Sequence, residues 1–386
     1  MEKKNAWEKY PEGTKRQDVF TFAEEYRKFI SSCKTERECA AELYRQAKET
    51  GFADLSEKIA QNAKLKAGDR IVANNMGKGL ALFVIGEKDI EEGMNILGAH
   101  IDSPRMDLKQ VPLYEDTEMA LLDTHYYGGV KKYQWVTLPL ALHGVICKKD
   151  GTTVTVNIGE KPDDPVFGVS DLLIHLAGEQ MEKKASKVIE GENLDLLVGS
   201  IPAASDDEKE KKEMKDRVKA NILNILSKED GVDEEDFLSA EIEVVPAGHA
   251  REAGLDHSMI MSYGQDDRVC AYTSLAAMLE VDGVEKTTCC LLTDKEEIGS
   301  VGATGMQSRF FENSVAELMD AMGEFSELSL RRCLANSSML SSDVNAAYDP
   351  LFASAFEKNN ASYFGRGVVF SKFTGSRGKS GSNDAN

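Results

Sequence analysis

The feature that most constrains this chain is an alternation of strand-like and helical segments from Pro246 onward. Residues 267–278 carry a helical pattern. Thr287-Thr288-Cys289-Cys290-Leu291-Leu292 follows as a short β-type run. Val315, Leu318, Met319 and Met322 then recur at helical spacing, and further strands are expected over residues 334–340 and 368–370. Parallel strands need crossover connections, usually helices. The alternation therefore predicts an α/β fold with a mixed, largely parallel sheet flanked by helices.

The first part of the chain fits the same architecture. Val19, Phe22, Ala23, Tyr26, Phe29 and Ile30 form an apolar stripe at helical spacing, and Thr35 with Glu38 has the capping-box spacing that opens a second helix. Residues 70–74 and 80–85 read as strands joined by the turn Met76-Gly77-Lys78-Gly79, and residues 95–99 as a third. From about Met106 the texture becomes β-rich, with strands expected over 135–142, 143–147 and 152–158. A charged run over 206–219 then leads into Val218, Ile222, Ile225 and Leu226 at helical spacing, a solvated helix face. The expected division is 1–105 and 246–386 as one α/β domain, interrupted by an insertion over 106–245.

Charge narrows the partners. The net charge of −20 over 386 residues opposes binding to nucleic acid or to an anionic membrane surface. No apolar run is long enough to span a bilayer and residues 1–15 are polar, so a cytoplasmic setting is expected. The seven cysteines contain no Cys-x-x-Cys pair; Cys289 and Cys290 read as apolar core residues in a reducing compartment. Gly375-Ser376-Arg377-Gly378-Lys379-Ser380 has Phe373 where a phosphate-binding loop needs glycine, which sets nucleotide binding aside.

Polar residues gather where strands are expected to end. His100 follows the strand over 95–99, Glu296 and Glu297 follow the 287–292 run, and Asp343 follows the strand expected over 334–340. Asp266 opens a helix. In open α/β sheets ligands bind beyond the carboxyl ends of strands, so residues distant in sequence can converge there. One chemistry that uses such a set is co-catalytic metal hydrolysis. A shared carboxylate holds two ions about 3.5–4 Å apart, and a separate carboxylate takes a proton from water. Asp102, two residues after His100, is placed to hold the other imidazole nitrogen. Each residue alone also has a plain reading. Glu296-Glu297 is a solvated acidic turn, Asp266-Asp267 a helix N-terminus, and Asp343 a turn residue.

Together the segments Gly98-Ala99-His100-Ile101-Asp102-Ser103-Pro104-Arg105, Gln265-Asp266-Asp267-Arg268, Asp294-Lys295-Glu296-Glu297-Ile298-Gly299-Ser300 and Ser342-Asp343-Val344-Asn345-Ala346 resemble the motifs of the aspartyl aminopeptidase/aminopeptidase I family of zinc exopeptidases, most closely its bacterial aminopeptidase I branch. The resemblance covers nearly the whole chain in order. It implies a zinc exopeptidase-like fold with an inserted dimerisation domain, peptide substrates, and a dimer-based, dodecameric assembly. It implies two zinc ions, with His100 and Asp343 on one, Asp266 bridging, Glu297 on the other and Glu296 as general base. Manganese or cobalt also suits a carboxylate-rich site. His175 resembles the family histidine that enters a neighbouring subunit's active site, and Lys372 falls where family members contact substrate. The family also has a C-terminal histidine ligand on the ion that Glu297 holds. The last histidine here is His257, so a C-terminally truncated chain with a weakly held second ion is expected. Two other readings stand beside this one: a non-catalytic oligomeric scaffold or inactive fragment, and a related two-metal carboxypeptidase or deacylase.

Overall fold

A computed structural model of the chain describes residues 4–204, 215–229 and 231–372. The charged run over 206–219 is therefore described only from residue 215, and the Gly/Ser-rich segment over 375–382 lies outside the described residues. The chain forms two compact units. One holds the residues up to Tyr26 and from Asp343 onward, and the other holds Arg27–Ser342.

The larger unit carries the strands. In chain order they are β1 (Ala53–Asp54), β2 (Arg70–Asn74), β3 (Leu80–Val84), β4 (Asn95–His100), β5 (Arg105–Asp116), β6 (Met119–Tyr127), β7 (Leu140–Cys147), β8 (Thr153–Ile158), β9 (Gly168–Val169), β10 (Leu196–Gly199), β11 (Ala240–Pro246), β12 (Arg251–Ala253), β13 (Met259–Met261), β14 (Thr288–Thr293) and β15 (Ser338–Ser341). Six of them form a mixed sheet in the order β1-β2-β3-β14-β4-β15. Three of its five pairings are parallel, so the sheet is largely parallel as the alternation predicts.

β14 lies between β3 and β4, and this explains its composition. A strand buried on both faces reads as continuous apolar sequence, not as an alternation. Cys289 and Leu291 pack into a core with Val315 and Leu318 of the helix Phe310–Met322 and Cys333 of the helix Glu327–Asn336. Cys290 and Leu292 point the other way and are equally buried. Thr288 shares that second face, and its hydroxyl lies 3.8 Å from Met278 Sδ of the helix Gln265–Glu280. Helices thus cover both faces. The helix Glu36–Glu49 opens with the expected capping box. The Thr35 hydroxyl accepts from Glu38 N–H, and the Glu38 carboxylate accepts from Thr35 N–H. A cap of this kind contributes about 1 kcal/mol.

Seven strands between Arg105 and Pro246 form a second, wholly antiparallel sheet in the order β8-β7-β11-β5-β6-β10-β9. It has its own core of Met106, Leu113, Leu122, Leu140, Ile146, Leu196 and Val244. None of the helices among the described residues is long and apolar enough to cross a membrane.

Three expected strands are corrected. Residues 135–139 are not extended: a short helix, Lys132–Trp135, precedes Pro139, which has no N–H for a ladder, and β7 starts after it. Leu334 is helical, because Ser326 and Ser329 cap a helix whose Leu330 and Cys333 are buried one turn apart; the strand begins at Ser338. Residues 368–370 are irregular and exposed.

In the smaller unit Trp7 stacks on Phe20 at 5.9 Å, and Ala6 N–H donates to the Gly365 carbonyl at 2.7 Å. The Asn345 amide bridges Ser371 and Ser362 at 2.8 and 2.9 Å.

Candidate metal centre

β4 and β14 are parallel neighbours, and their register places His100 opposite Thr293 at one edge of the sheet. Ser342, just past β15, donates its N–H to the Gly98 carbonyl of β4 at 2.7 Å. The carboxyl ends of three parallel strands therefore meet in one place, and His100 ends the central one.

Beyond β14 the chain turns sharply. Lys295 takes a left-handed conformation (φ 68°), and Glu296–Ile298 form one short helical turn closed by Gly299 (φ 90°). A lysine tolerates this backbone because buried Asp294 holds it in place. One Asp294 oxygen accepts the Lys295 N–H at 2.7 Å, and the other accepts the Thr304 hydroxyl at 2.5 Å.

Asp102 ties this turn to His100. It is fully buried, and its Oδ1 lies 3.2 Å from His100 Nδ1. The N–H groups of Glu296 and Glu297 donate to its two oxygens at 3.1 and 3.2 Å, and the Tyr127 hydroxyl donates to Oδ2 at 2.7 Å. With Nδ1 engaged, Nε2 faces Asp266 Oδ1 at 3.2 Å and Glu296 Oε2 at 3.8 Å.

Asp266 is set by its neighbours. Gly264 precedes it in the left-handed region (φ 79°), where a Cβ would stand 2.3 Å from Arg268 Nη1. Arg268 is buried and donates to the Ile101 carbonyl at 3.1 Å and the Lys34 carbonyl at 2.8 Å. Ser103 Oγ donates to the Asp266 carbonyl at 2.8 Å. The Asp266–Asp267 peptide is cis. The result is an open acidic cleft: the side chains of Asp266 and Glu296 are 52% and 49% exposed, while His100 is buried.

The electrostatics follow from this crowding. Burial opposes charge on His100, yet the Asp102 and Asp266 carboxylates raise its pKa to about 11. Burial likewise opposes charge on Asp102, but the hydrogen bonds from His100 and Tyr127 hold its pKa below the usual range. Burial and the neighbouring Asp266 push the Glu297 carboxyl up to about 7.

These groups fit a zinc ion. The donors are an imidazole and carboxylates, both common zinc ligands. Nε2 and Asp266 Oδ1 are separated by 3.2 Å. Two ligands on a tetrahedron with zinc bonds of about 2.0–2.1 Å stand about 3.3 Å apart. The carboxylate on Nδ1 is the usual partner of a metal-bound histidine.

The structure places the remaining candidates as follows. Glu297 follows Glu296 on the same turn and is partly exposed. Asp343 is the first residue of the smaller unit after Ser342. His175 lies on an exposed turn between β9 and the short helix Gly178–Met181, and Lys372 is exposed in the smaller unit. Sequence reasoning gave no role to Tyr127, Ser103, Asp294 or Gly128. A Cβ on Gly128 would stand 3.2 Å from Glu297 Cβ. Ser103 and Asp294 lay inside segments already singled out; Tyr127 and Gly128 did not.

Comparison with known proteins identifies the family. A family model for the aminopeptidase I zinc metalloproteases (M18) matches residues 29–386. A Clostridium acetobutylicum protein named "Probable M18 family aminopeptidase 1" is 59% identical over 385 residues, spanning 100% of this chain and 81% of the relative. The crystal structure of an M18 aminopeptidase from Thermotoga maritima superposes with a TM-score of 0.90 at 44% identity, over 100% of this chain and 82% of that one. The S. cerevisiae mApe1 dodecamer shares the fold, with a TM-score of 0.68 at 20% identity over 90% and 76% of the two chains. The chain belongs to the aminopeptidase I zinc metalloprotease family, M18, and is as a member a metal-dependent aminopeptidase.

Proposed function

We propose that the chain removes N-terminal residues from peptides by a two-zinc, water-activated reaction with Glu296 as general base. The observation that carries this reading is the cluster of His100 Nε2, Asp266 Oδ1 and Glu296 Oε2 at the ends of β4 and β14, with Asp102 behind the imidazole. His100 and Asp343 would hold one ion, Glu297 the other, and Asp266 would serve both; Asp343 enters on the family resemblance alone. Bound zinc supplies Lewis-acid polarisation of the scissile carbonyl and lowers the pKa of water. Asp102 keeps Nδ1 of His100 occupied, so Nε2 is presented as the ligand atom. Glu296 accepts the proton of the attacking water and returns it to the leaving amine nitrogen.

Residues 106–245 serve as an inserted dimerisation domain between the catalytic segments 1–105 and 246–386. His175 reaches a partner subunit's active site in a dimer-based, dodecameric assembly. Its exposure beside exposed Leu172, Leu173, Ile174 and Leu176 supports a covered, self-associating surface. Lys372 contacts the substrate. Cys33, Cys39, Cys147, Cys289, Cys290 and Cys333 form no disulfide, which suits a reducing, cytoplasmic setting.

Glu296→Gln tests the base. It should retain the zinc content of the unmutated chain, measured by elemental analysis, while kcat on amino-acyl nitroanilides falls by about 10²–10⁴. Unchanged turnover removes Glu296 from this role. Acylating the substrate's α-amine should abolish cleavage, and faster hydrolysis of the acylated substrate would favour a deacylase.

A further inference from the structure

The seven-stranded sheet does not merely follow the metal centre in the chain; it supplies a hydroxyl to it. Tyr127 is the last residue of β6 and pairs across the ladder with Arg105, the first residue of β5. Its ring is buried, and the Arg105 guanidinium lies 3.8 Å from the ring centroid. Arg105 is itself fixed by Asp107 at 2.9 Å, Glu243 at 3.3 Å and Glu36 at 3.4 Å. The phenol therefore has little freedom, and its hydroxyl ends 2.7 Å from Asp102 Oδ2.

Asp102 serves both halves of the centre. Its Oδ1 faces His100 Nδ1 and accepts the Glu296 N–H, while its Oδ2 accepts from Glu297 N–H and from Tyr127. A carboxylate plane rotates about one bond, so a donor fixed on Oδ2 also fixes where Oδ1 points. Rotation of the Asp102 side chain would leave the imidazole held at Nδ1 by the Asp102 carbonyl alone, at 3.1 Å, and would release the turn carrying both glutamates.

We propose that Tyr127 is a positioning residue of the metal centre: its hydroxyl orients Asp102, and through Asp102 it aligns His100 with the Glu296–Glu297 turn. The seven-stranded sheet thereby sets the geometry of the reaction site within its own chain. The adjacent residue acts in the same sense. Gly128 has no side chain, and this leaves room for Glu297, whose Cβ would lie 3.2 Å from any Cβ placed there.

The test is Tyr127→Phe in the full chain, which keeps the ring and its stack on Arg105 and removes only the hydroxyl. Loss of an outer partner of a metal ligand typically costs about 10–100-fold in metal affinity or activity. Zinc Kd, read by competition with a chromogenic chelator, should weaken by about tenfold or more, and kcat should fall with it. Tyr114→Phe is the control, because Tyr114 donates to Asp195 at 2.5 Å in the same sheet. A merely structural role would make the two variants alike; positioning leaves Tyr114→Phe with wild-type zinc Kd. In an Asp102→Asn background Tyr127→Phe should add no further loss, since both act through one carboxylate. A Tyr127→Phe chain with wild-type zinc Kd and kcat overturns the inference, as does a full additive loss in the Asp102→Asn background. The inference rests on the aminopeptidase reading, and the two fail separately. A wild-type chain that takes up no zinc overturns both, whereas normal zinc uptake with an indifferent Tyr127→Phe overturns this one alone.

Discussion

Two clusters in the larger unit use the same residue types and have opposite characters. At the ionic junction Lys34 is almost fully buried, and its Nζ donates to Glu160 at 2.5 Å and to the carbonyls of Pro246 and Gly248 at 2.7 and 2.8 Å. His143 lies between Glu38 at 2.8 Å and Glu160 at 3.1 Å. Lys34 and His143 face two carboxylates there, and the group is largely buried, with the Glu38 and Glu160 side chains 25% and 10% exposed. The metal centre sets one imidazole among Asp102, Asp266, Glu296 and Glu297, and it is open to solvent. The carboxyl groups respond accordingly. Burial opposes charge on Glu160, but His143 and Lys34 bring its pKa down to about 2, whereas Glu297 rises to about 7 among acids. A balanced, closed cluster holds the fold together. An acidic, open one waits for a cation from outside.

The largest effect that would sharpen this contrast is at Asp266. Asp266→Asn removes the carboxylate nearest His100 Nε2. It should abolish turnover and weaken zinc binding by more than the roughly 10–100-fold typical of outer partners. The metal-free protein should melt close to wild type, because the Asp266 side chain is half exposed and its attraction to His100 is offset by its repulsion of the neighbouring Glu297. A melting temperature that falls with zinc affinity unchanged would make Asp266 structural, and the contrast would collapse.

Lys34→Met should do the reverse. Removing one member of a buried ion pair strands the other and costs about 3–5 kcal/mol. Urea unfolding should report that loss, while zinc Kd of the folded variant stays at the wild-type value. A variant as stable as wild type would show that the junction contributes little, and a changed zinc Kd would show that the two clusters are coupled.

Zinc itself should act on one cluster only. At about 100 times its Kd it should raise the unfolding free energy by about 2.7 kcal/mol. Lys34→Met should show the same increment and Asp266→Asn should not. Equal increments in all three chains would place the bound zinc elsewhere.

How much of this was legible in the sequence depended on whether the signal was local. The largely parallel sheet was, because β14 is buried on both faces and so reads as an unbroken apolar run. His100 and Glu296 were, because His100 directly follows such a run and Glu296 lies four residues after one. Leu334 was not, since a short apolar stretch looks alike in a helix and a strand. Tyr127 was not, because antiparallel register brings it back to Asp102 from 25 residues away. The junction was least visible of all: Lys34 and Glu160 are 126 residues apart, and neither lies in a recognisable motif. Long-range polar pairs leave no periodicity, and both clusters depend on them.

The smallest expected effect is in the acid range, and it isolates the junction. The Glu160 pKa of about 2 in the folded chain lies below the ordinary value of about 4.3 for an unfolded glutamate. Between the two values the unfolded chain binds more protons, so stability falls as pH falls. The contribution is complete above about pH 5 and is lost progressively as pH drops through 4 toward 2. Between pH 6 and pH 3 it amounts to about 1–2 kcal/mol for a shift of this size. Other carboxyl groups with lowered values, Glu36 and Asp54 among them, add to the slope, so a wild-type curve alone does not identify Glu160. The difference from Glu160→Gln does. The variant keeps Lys34 on the Pro246 and Gly248 carbonyls but has no carboxylate to titrate. Urea midpoints measured with chelator present, which keeps the metal centre constant, should fall less steeply with acid for Glu160→Gln than for wild type. Parallel curves would mean that Glu160 titrates alike in the folded and unfolded chains, and the junction would then be no better balanced than the cleft beside it.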